Sequence, residues 1–290
     1  MSISRRLFLA GAAAGAGLCT TAFSEVSSTT ASAVTNYFVD GVAVQHHQPT
    51  TPNGKPSIVM VHGGMHGSWV FERYAPYFAG LGWDVHVLDW YNHGNSAAQA
   101  QNLFIKRSIT DLNREIQSVT RQLSSFHLLG HSMGGLAALF CGTFLKAKTL
   151  VLLTPVVPSQ VGAATVPLTV DLSTLFPVPS FSDAKSWFYQ TMTNAEAQPH
   201  YARLQPESSQ AVWESTRWTV SLNLSTITMP ILCIGAGADT IVPAQYVQQL
   251  STMLSNSEYV QYPIGHCDLL LKNQDWSTPA ARVATFLNAH

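Results

Sequence analysis

Gly130-His131-Ser132-Met133-Gly134 sets a serine between two glycines, after the apolar run Phe126-His127-Leu128-Leu129 and before a segment of helical composition. A serine on a sharp strand-to-helix turn is pushed out at the carboxyl edge of a sheet, and the glycines leave the turn room that side chains would fill. A hydroxyl is a poor nucleophile until a base takes its proton. His266, in Tyr262-Pro263-Ile264-Gly265-His266 after the last predicted strand, is the candidate base; His290 is terminal and His200 lies in a stretch of broken pattern. Asp239 stands just past the apolar run Ile231-Leu232-Cys233-Ile234, with room for one helix and one strand before His266. A carboxylate there would fix the imidazole tautomer and stabilise the imidazolium. Asp268 is the second candidate, but it sits too near His266 in sequence to reach the ring from the required side. A tetrahedral oxyanion needs two preorganised N–H donors. The N–H of Met133, next to the serine, is one candidate. The loop His62-Gly63-Gly64-Met65-His66-Gly67 supplies the other, with Gly64 the first choice and Met65 the alternative.

These residues need a scaffold that delivers them to one edge. Asp40-Gly41 between alternating apolar residues predicts a hairpin over 37–44. Continuous apolar strands over 57–62, 83–90, 126–129, 149–156, 230–235 and 258–262 alternate with helices over 69–79, 108–123, 133–147, 243–254 and 278–288. Such alternation predicts a parallel sheet covered on both faces. Residues 155–225 break the pattern. They are dense in proline and aromatic residues, and a loop of that length without structure would be improbable, so the segment is expected to contain helices. It reads as a cap over the edge that bears Ser132, with Trp187 and Trp218 as candidate substrate contacts.

On these residues the chain resembles the α/β-hydrolase superfamily. The resemblance spans nearly all of residues 55–290 apart from the insertion. It rests on Val61-His62-Gly63-Gly64, Gly130-His131-Ser132-Met133-Gly134-Gly135, Asp239 and Gly265-His266, in the family order of serine, acid and histidine. Asp89-Trp90-Tyr91-Asn92-His93-Gly94-Asn95-Ser96 is similar to the family's D-x-x-G-x-G-x-S loop but carries Asn92-His93 where the first glycine would fall. His62-Gly63-Gly64-Met65-His66-Gly67-Ser68-Trp69 is similar to the H-G-x-x-H-G-x-W loop of the plant methylesterase and hydroxynitrile-lyase branch. The resemblance implies an α/β-hydrolase fold, a mostly parallel sheet flanked by helices, with residues 155–225 as a helical cap. It implies a serine hydrolase, without a cofactor, acting on a small apolar ester or lactone through an acyl-enzyme. Hydrolysis of a C–C bond or an amide, or cofactor-free oxygenation, would use the same three residues. A non-catalytic binding protein on this fold would usually lack one of them.

Composition narrows the partners. Only 11% of residues are charged and 46% are hydrophobic, which argues against long disorder. The formal charge is −1 and no basic run follows the first ten residues, so nucleic-acid binding lacks its electrostatic term. Residues 1–33 read as a twin-arginine export signal: Ser4-Arg5-Arg6-Leu7-Phe8-Leu9, an apolar run, then Ala31-Ser32-Ala33 as a cleavage site. The apolar run of about 12 residues falls short of the roughly 20 that span a bilayer, so no stable membrane insertion is expected after processing. The expected mature chain is one domain over 34–290, periplasmic or secreted, with net charge −2. Its cysteines, Cys141, Cys233 and Cys267, are odd in number and are expected to be free and mostly buried, although one disulfide stays open. No metal is expected, because neither His46-His47 nor His62 with His66 comes with a carboxylate–histidine set of ligand spacing.

Overall fold

A computed structural model of the protein describes residues 33–290. The expected export signal, apart from Ala33, lies outside the described residues, as does Cys19. Eight strands form one sheet in the order β1-β2-β4-β3-β5-β6-β7-β8. The first two, β1 (Val34–Val39) and β2 (Val42–His47), make the antiparallel hairpin the sequence predicts. Its two-residue turn has Asp40 and Gly41 both at positive φ, the twist that two-residue hairpins favour. The hairpin joins the sheet through an antiparallel pairing of β2 with β4 (Val85–Leu88). From β4 onward all pairing is parallel, through β3 (Ser57–Val61), β5 (Phe126–His131), β6 (Leu150–Leu153), β7 (Ile231–Ala236) and β8 (Ser257–Tyr262).

Side chains alternate between two cores, as the period of a strand requires. Val59, Val61, Leu128, Leu150, Leu152 and Cys233 belong to one, and Ile58, Met60, Leu129, Val151, Leu153 and Ile234 to the other. Helix α1 (Tyr74–Gly80) serves the second core, with Pro76 in its first turn, where a missing N–H costs nothing. The single helix expected over 69–79 is thus a 3-10 turn, Ser68–Phe71, followed by α1. A short α2 (Gln101–Phe104), which the pattern does not show, precedes α3 (Asn113–Thr120). The amphipathic segment before α3 starts as a 3-10 turn with Ser108 and Asp111 as a reciprocal cap. Helix α4 (Met133–Gly142) runs from the serine turn and packs with α3 in the first core.

Residues 155–225 contain three helices: α5 (Phe181–Phe188), α6 (Asn194–Tyr201) and α7 (Ser209–Arg217). Each opens on a hydroxyl cap that accepts a backbone N–H, from Ser180, Thr193 and Ser208 respectively. The chain then returns to the sheet and adds α8 (Ala244–Met253), the short α9 (Asp268–Leu271) and α10 (Ser277–Ala289). The three described cysteines are free and buried. No helix among the described residues is long and apolar enough to cross a membrane.

Candidate active site

Parallel strands end at one edge, and the loops leaving β3, β5, β7 and β8 meet there. Ser132 occupies the turn between β5 and α4 at φ 55, ψ −121, a left-handed position that is unfavourable for a residue with a Cβ. Its surroundings impose it. The Ser132 N–H donates to Leu153 O at 3.0 Å, and its carbonyl accepts from Gly135, Leu136 and Val156. A Cβ on Gly134 would run into the carbonyls of Val61 and His62, and one on Gly130 into that of Gly134. Only glycine lets α4 start this close to β3 and β5.

Asp239 follows β7, and one of its oxygens, Oδ1, accepts the N–H groups of Ile241 and Val242 at 2.9 Å each. The other, Oδ2, lies 2.6 Å from His266 Nδ1, with both side chains buried. The carboxylate therefore shapes its own turn and orients the ring. His266 is fixed along its backbone as well. Its N–H donates to Gln190 Oε1 at 2.8 Å, and its carbonyl lies 3.1 Å from His131 Nε2, the side chain just before the serine. Asp268 does not approach the ring. Its Oδ2 accepts from the N–H and the hydroxyl of Thr191, 2.7 Å each, so it anchors the insertion.

The loop after β3 is held by side chains. His62 Nδ1 donates to Gly63 O at 2.8 Å and His66 Nδ1 to Gly64 O at 2.7 Å. Burial keeps both rings neutral, pushing His66 down to about 3 and His62 well below its ordinary value. His131 is lowered in the same way. Gly64 and Met133 lie beside Ser132 in the lining of one cavity. The alternative donor, Met65, is already engaged: its N–H donates to Glu207 Oε2 at 2.9 Å.

That cavity is walled mainly by Leu168, Phe176, Trp187, Phe188, Val212 and Ile241, with Ser215 and Thr216 as further polar lining. No charged side chain lines it. Trp187 faces it as the sequence suggests. Trp218 does not, which corrects the second expected contact. It ends α7 in the left-handed region, its ring is 4% exposed, and its indole N–H donates to Ala164 O at 2.8 Å. It packs the insertion together. Gln190 and Glu207, which sequence reasoning does not single out, reach the site from the same insertion.

His46 and His86, neighbours across the β2–β4 pairing, both point Nε2 at Asp84, at 2.5 and 2.8 Å. Their rings stack 4.4 Å apart and within 11° of parallel. The ligand atoms of His46, Asp84 and His86 all lie within 4.8 Å of one another, so Asp84 supplies a carboxylate that the His46-His47 pair does not show in sequence.

A sequence profile described as the alpha/beta hydrolase family matches residues 58–284. The chain belongs to the alpha/beta hydrolase family. Its fold is shared with an esterase from Exiguobacterium antarcticum, at TM-score 0.67 and 18% identity over 88% of this chain and 99% of that one. It is also shared with the enol-lactonase from Burkholderia xenovorans, at TM-score 0.65 and 14% identity over 88% of this chain and 100% of that one. Among curated sequences, the Arabidopsis thaliana protein Methylesterase 9 is 27% identical over 93 residues, 31% of this chain. The chain spans about a third of that relative's length, 35%. This alpha/beta hydrolase thus shares its fold with an esterase and a lactonase.

Proposed function

We propose that the protein is a serine hydrolase that cleaves a carboxylic ester or lactone of a neutral, apolar substrate through an acyl-enzyme. The observation that carries the reading is the buried Asp239–His266 pair, 2.6 Å apart, with the His266 carbonyl 3.1 Å from Nε2 of His131, the residue before Ser132. With Nδ1–H donated to the carboxylate, Nε2 of His266 is the basic nitrogen. Ser132 Oγ attacks the carbonyl carbon and passes its proton to Nε2, while the oxyanion receives the N–H groups of Gly64 and Met133. His266 returns the proton to the leaving alkoxide. Water, activated by the same nitrogen, then attacks the acyl carbon and releases Ser132. The cavity's apolar, uncharged lining favours neutral substrates, since a buried anion would find no cation. The esterase, lactonase and methylesterase among the similar proteins are in keeping with this class.

The test is mass spectrometry of the purified protein after reaction with a fluorophosphonate, alongside turnover of p-nitrophenyl esters. One adduct on Ser132 and loss of turnover are expected. An unmodified Ser132 with turnover intact overturns the mechanism, and a more than tenfold preference for anionic esters overturns the neutral pocket. We also propose export by the twin-arginine route with cleavage after Ala33. The first strand begins at Val34, in keeping with a mature chain that starts there. N-terminal sequencing of the exported protein should begin at Val34.

A further inference from the structure

We propose that Glu207 is the positioning residue of the oxyanion loop. This rests on the serine-hydrolase reading. An N–H donor aids an oxyanion only if its peptide is already aimed before the reaction. Gly64 itself has no side chain to hold it, and the residue after it, Met65, has φ 65. A left-handed methionine persists only where the surroundings over-determine it. Here they do. Glu207 Oε2 accepts the Met65 N–H at 2.9 Å, and the Gln205 N–H donates to the Met65 carbonyl at 2.9 Å. Both polar groups of one residue are thus clasped by chain from the insertion, 142 residues away in the case of the carboxylate. The Gly64 N–H belongs to the preceding peptide, whose oxygen on Gly63 accepts from His62 Nδ1 at 2.8 Å. The following peptide, joining Gly64 to Met65, is held at its oxygen by His66 Nδ1 and at its hydrogen by Glu207, so Gly64 is fixed on both sides.

The choice of a carboxylate follows from its neighbours. Glu207 is 2% exposed, and around it stand the N–H of Met65, the N–H of Ser208 at 2.8 Å from Oε1, and His93 Nε2 at 3.2 Å from Oε2. Two acceptor oxygens suit N–H groups on both sides, whereas an amide would turn its NH₂ toward one of them. Burial would raise the acid's pKa, but His93 and the two N–H groups more than offset this and hold it below the usual glutamate range. Those partners also offset a negative charge that would otherwise oppose an oxyanion nearby. His93 follows Asn92, which at φ 68 takes the place of the first glycine in the Asp89–Ser96 loop. Gln205 ties the same loop, its Oε1 accepting the Gly94 N–H at 2.8 Å.

The test measures kcat and KM of the full protein on a neutral p-nitrophenyl ester. Glu207→Ala should lower kcat roughly ten- to a hundredfold with KM within about threefold, because the lost interaction is with the transition state. Affinity for a boronic acid, which forms a tetrahedral anion on the serine, should fall in step with kcat. Met65→Gly added to Glu207→Ala should recover part of kcat, since glycine takes φ 65 without strain; a purely structural role for Glu207 predicts no such recovery. If Glu207→Ala does not fold, Glu207→Gln decides, with a severalfold lower kcat at unchanged KM expected. Wild-type kcat in whichever variant folds, or a change in KM alone, overturns the proposal. Ser132→Ala separates the two failures. If it leaves ester turnover intact, the serine-hydrolase reading is wrong; if it abolishes turnover while Glu207→Ala does not slow it, only the positioning role is.

Discussion

The edge of the sheet and the insertion build one site by opposite means. Ser132, Asp239 and His266 follow β5, β7 and β8, and backbone ladders set where each begins. The parallel register of β5 with β6 and of β7 with β8 puts those strand ends side by side, with many hydrogen bonds sharing the task. Between β6 and β7 the insertion has one isolated pairing, Phe176 with Glu207. It acts through single side chains that reach across: Gln190 to the His266 N–H, Glu207 to the Met65 N–H, and Trp187 and Phe188 into the cavity wall. Redundant contacts place the sheet's contributions and unique ones place the insertion's. A substitution in the insertion should therefore alter one property at a time, whereas the groups proposed to react, at the sheet edge, should act as a unit.

The largest effect tests that unit. Ser132→Ala should lower kcat at least about a thousandfold with Tm unchanged, because the hydroxyl does little packing. His266→Ala should cost as much, and the double variant little more than either alone; multiplicative losses in kcat would separate the two residues. Next come the two tryptophans of the insertion. Trp218→Ala should cost about 3–5 kcal/mol of stability, seen in thermal unfolding, at constant KM. Trp187→Ala should instead raise KM by an amount equivalent to about 1–3 kcal/mol, with little change in Tm. Identical behaviour of the pair would erase the distinction between cavity wall and packing.

Acid acts on the stability of the sheet edge. His62, His66 and His131 all stand at the sheet edge, with pKa values lowered by burial. Below the unfolded value of about 6.5 the unfolded chain takes up protons that the folded chain refuses. Their contribution to stability is complete above that pH and is lost as pH falls toward the folded values, about 3 for His66. Each contributes up to about 1.4 kcal/mol per pH unit in that window. Tm should decline between pH 6.5 and 5, while the insertion's Glu207, ionised to lower pH than an ordinary glutamate, keeps its hold. A flat Tm over that range would show that these rings are solvated.

What the sequence discloses divides along the same line. The strand–helix alternation, the Asp40-Gly41 turn and the serine turn are local signals, and the structure has them within a few residues of the expected limits. The approach of Asp239 to His266 follows from two strands, the last before the acid and the last before the histidine, that end at the same edge. Gln190 and Glu207 carry no such signal, because the partners that make them informative lie 76 and 142 residues away. Trp218 misleads for a related reason. An aromatic in a cap segment looks the same whether it lines the cavity or, as here, spends its indole N–H on a carbonyl of its own segment.

On the proposed mechanism, the clasp on Met65 should also govern when ester turnover appears as the chain folds. The serine turn is built from neighbouring strands and can form once β3, β5 and β6 have met. The oxyanion loop must wait for a closure over 142 residues, and His266 for the last strand. Long-range closures pay their entropy before their contacts repay it, so they come late. On refolding from denaturant, helical circular dichroism should return first and ester turnover after a lag, with β-sheet and helices assembled around a serine that cannot yet turn over.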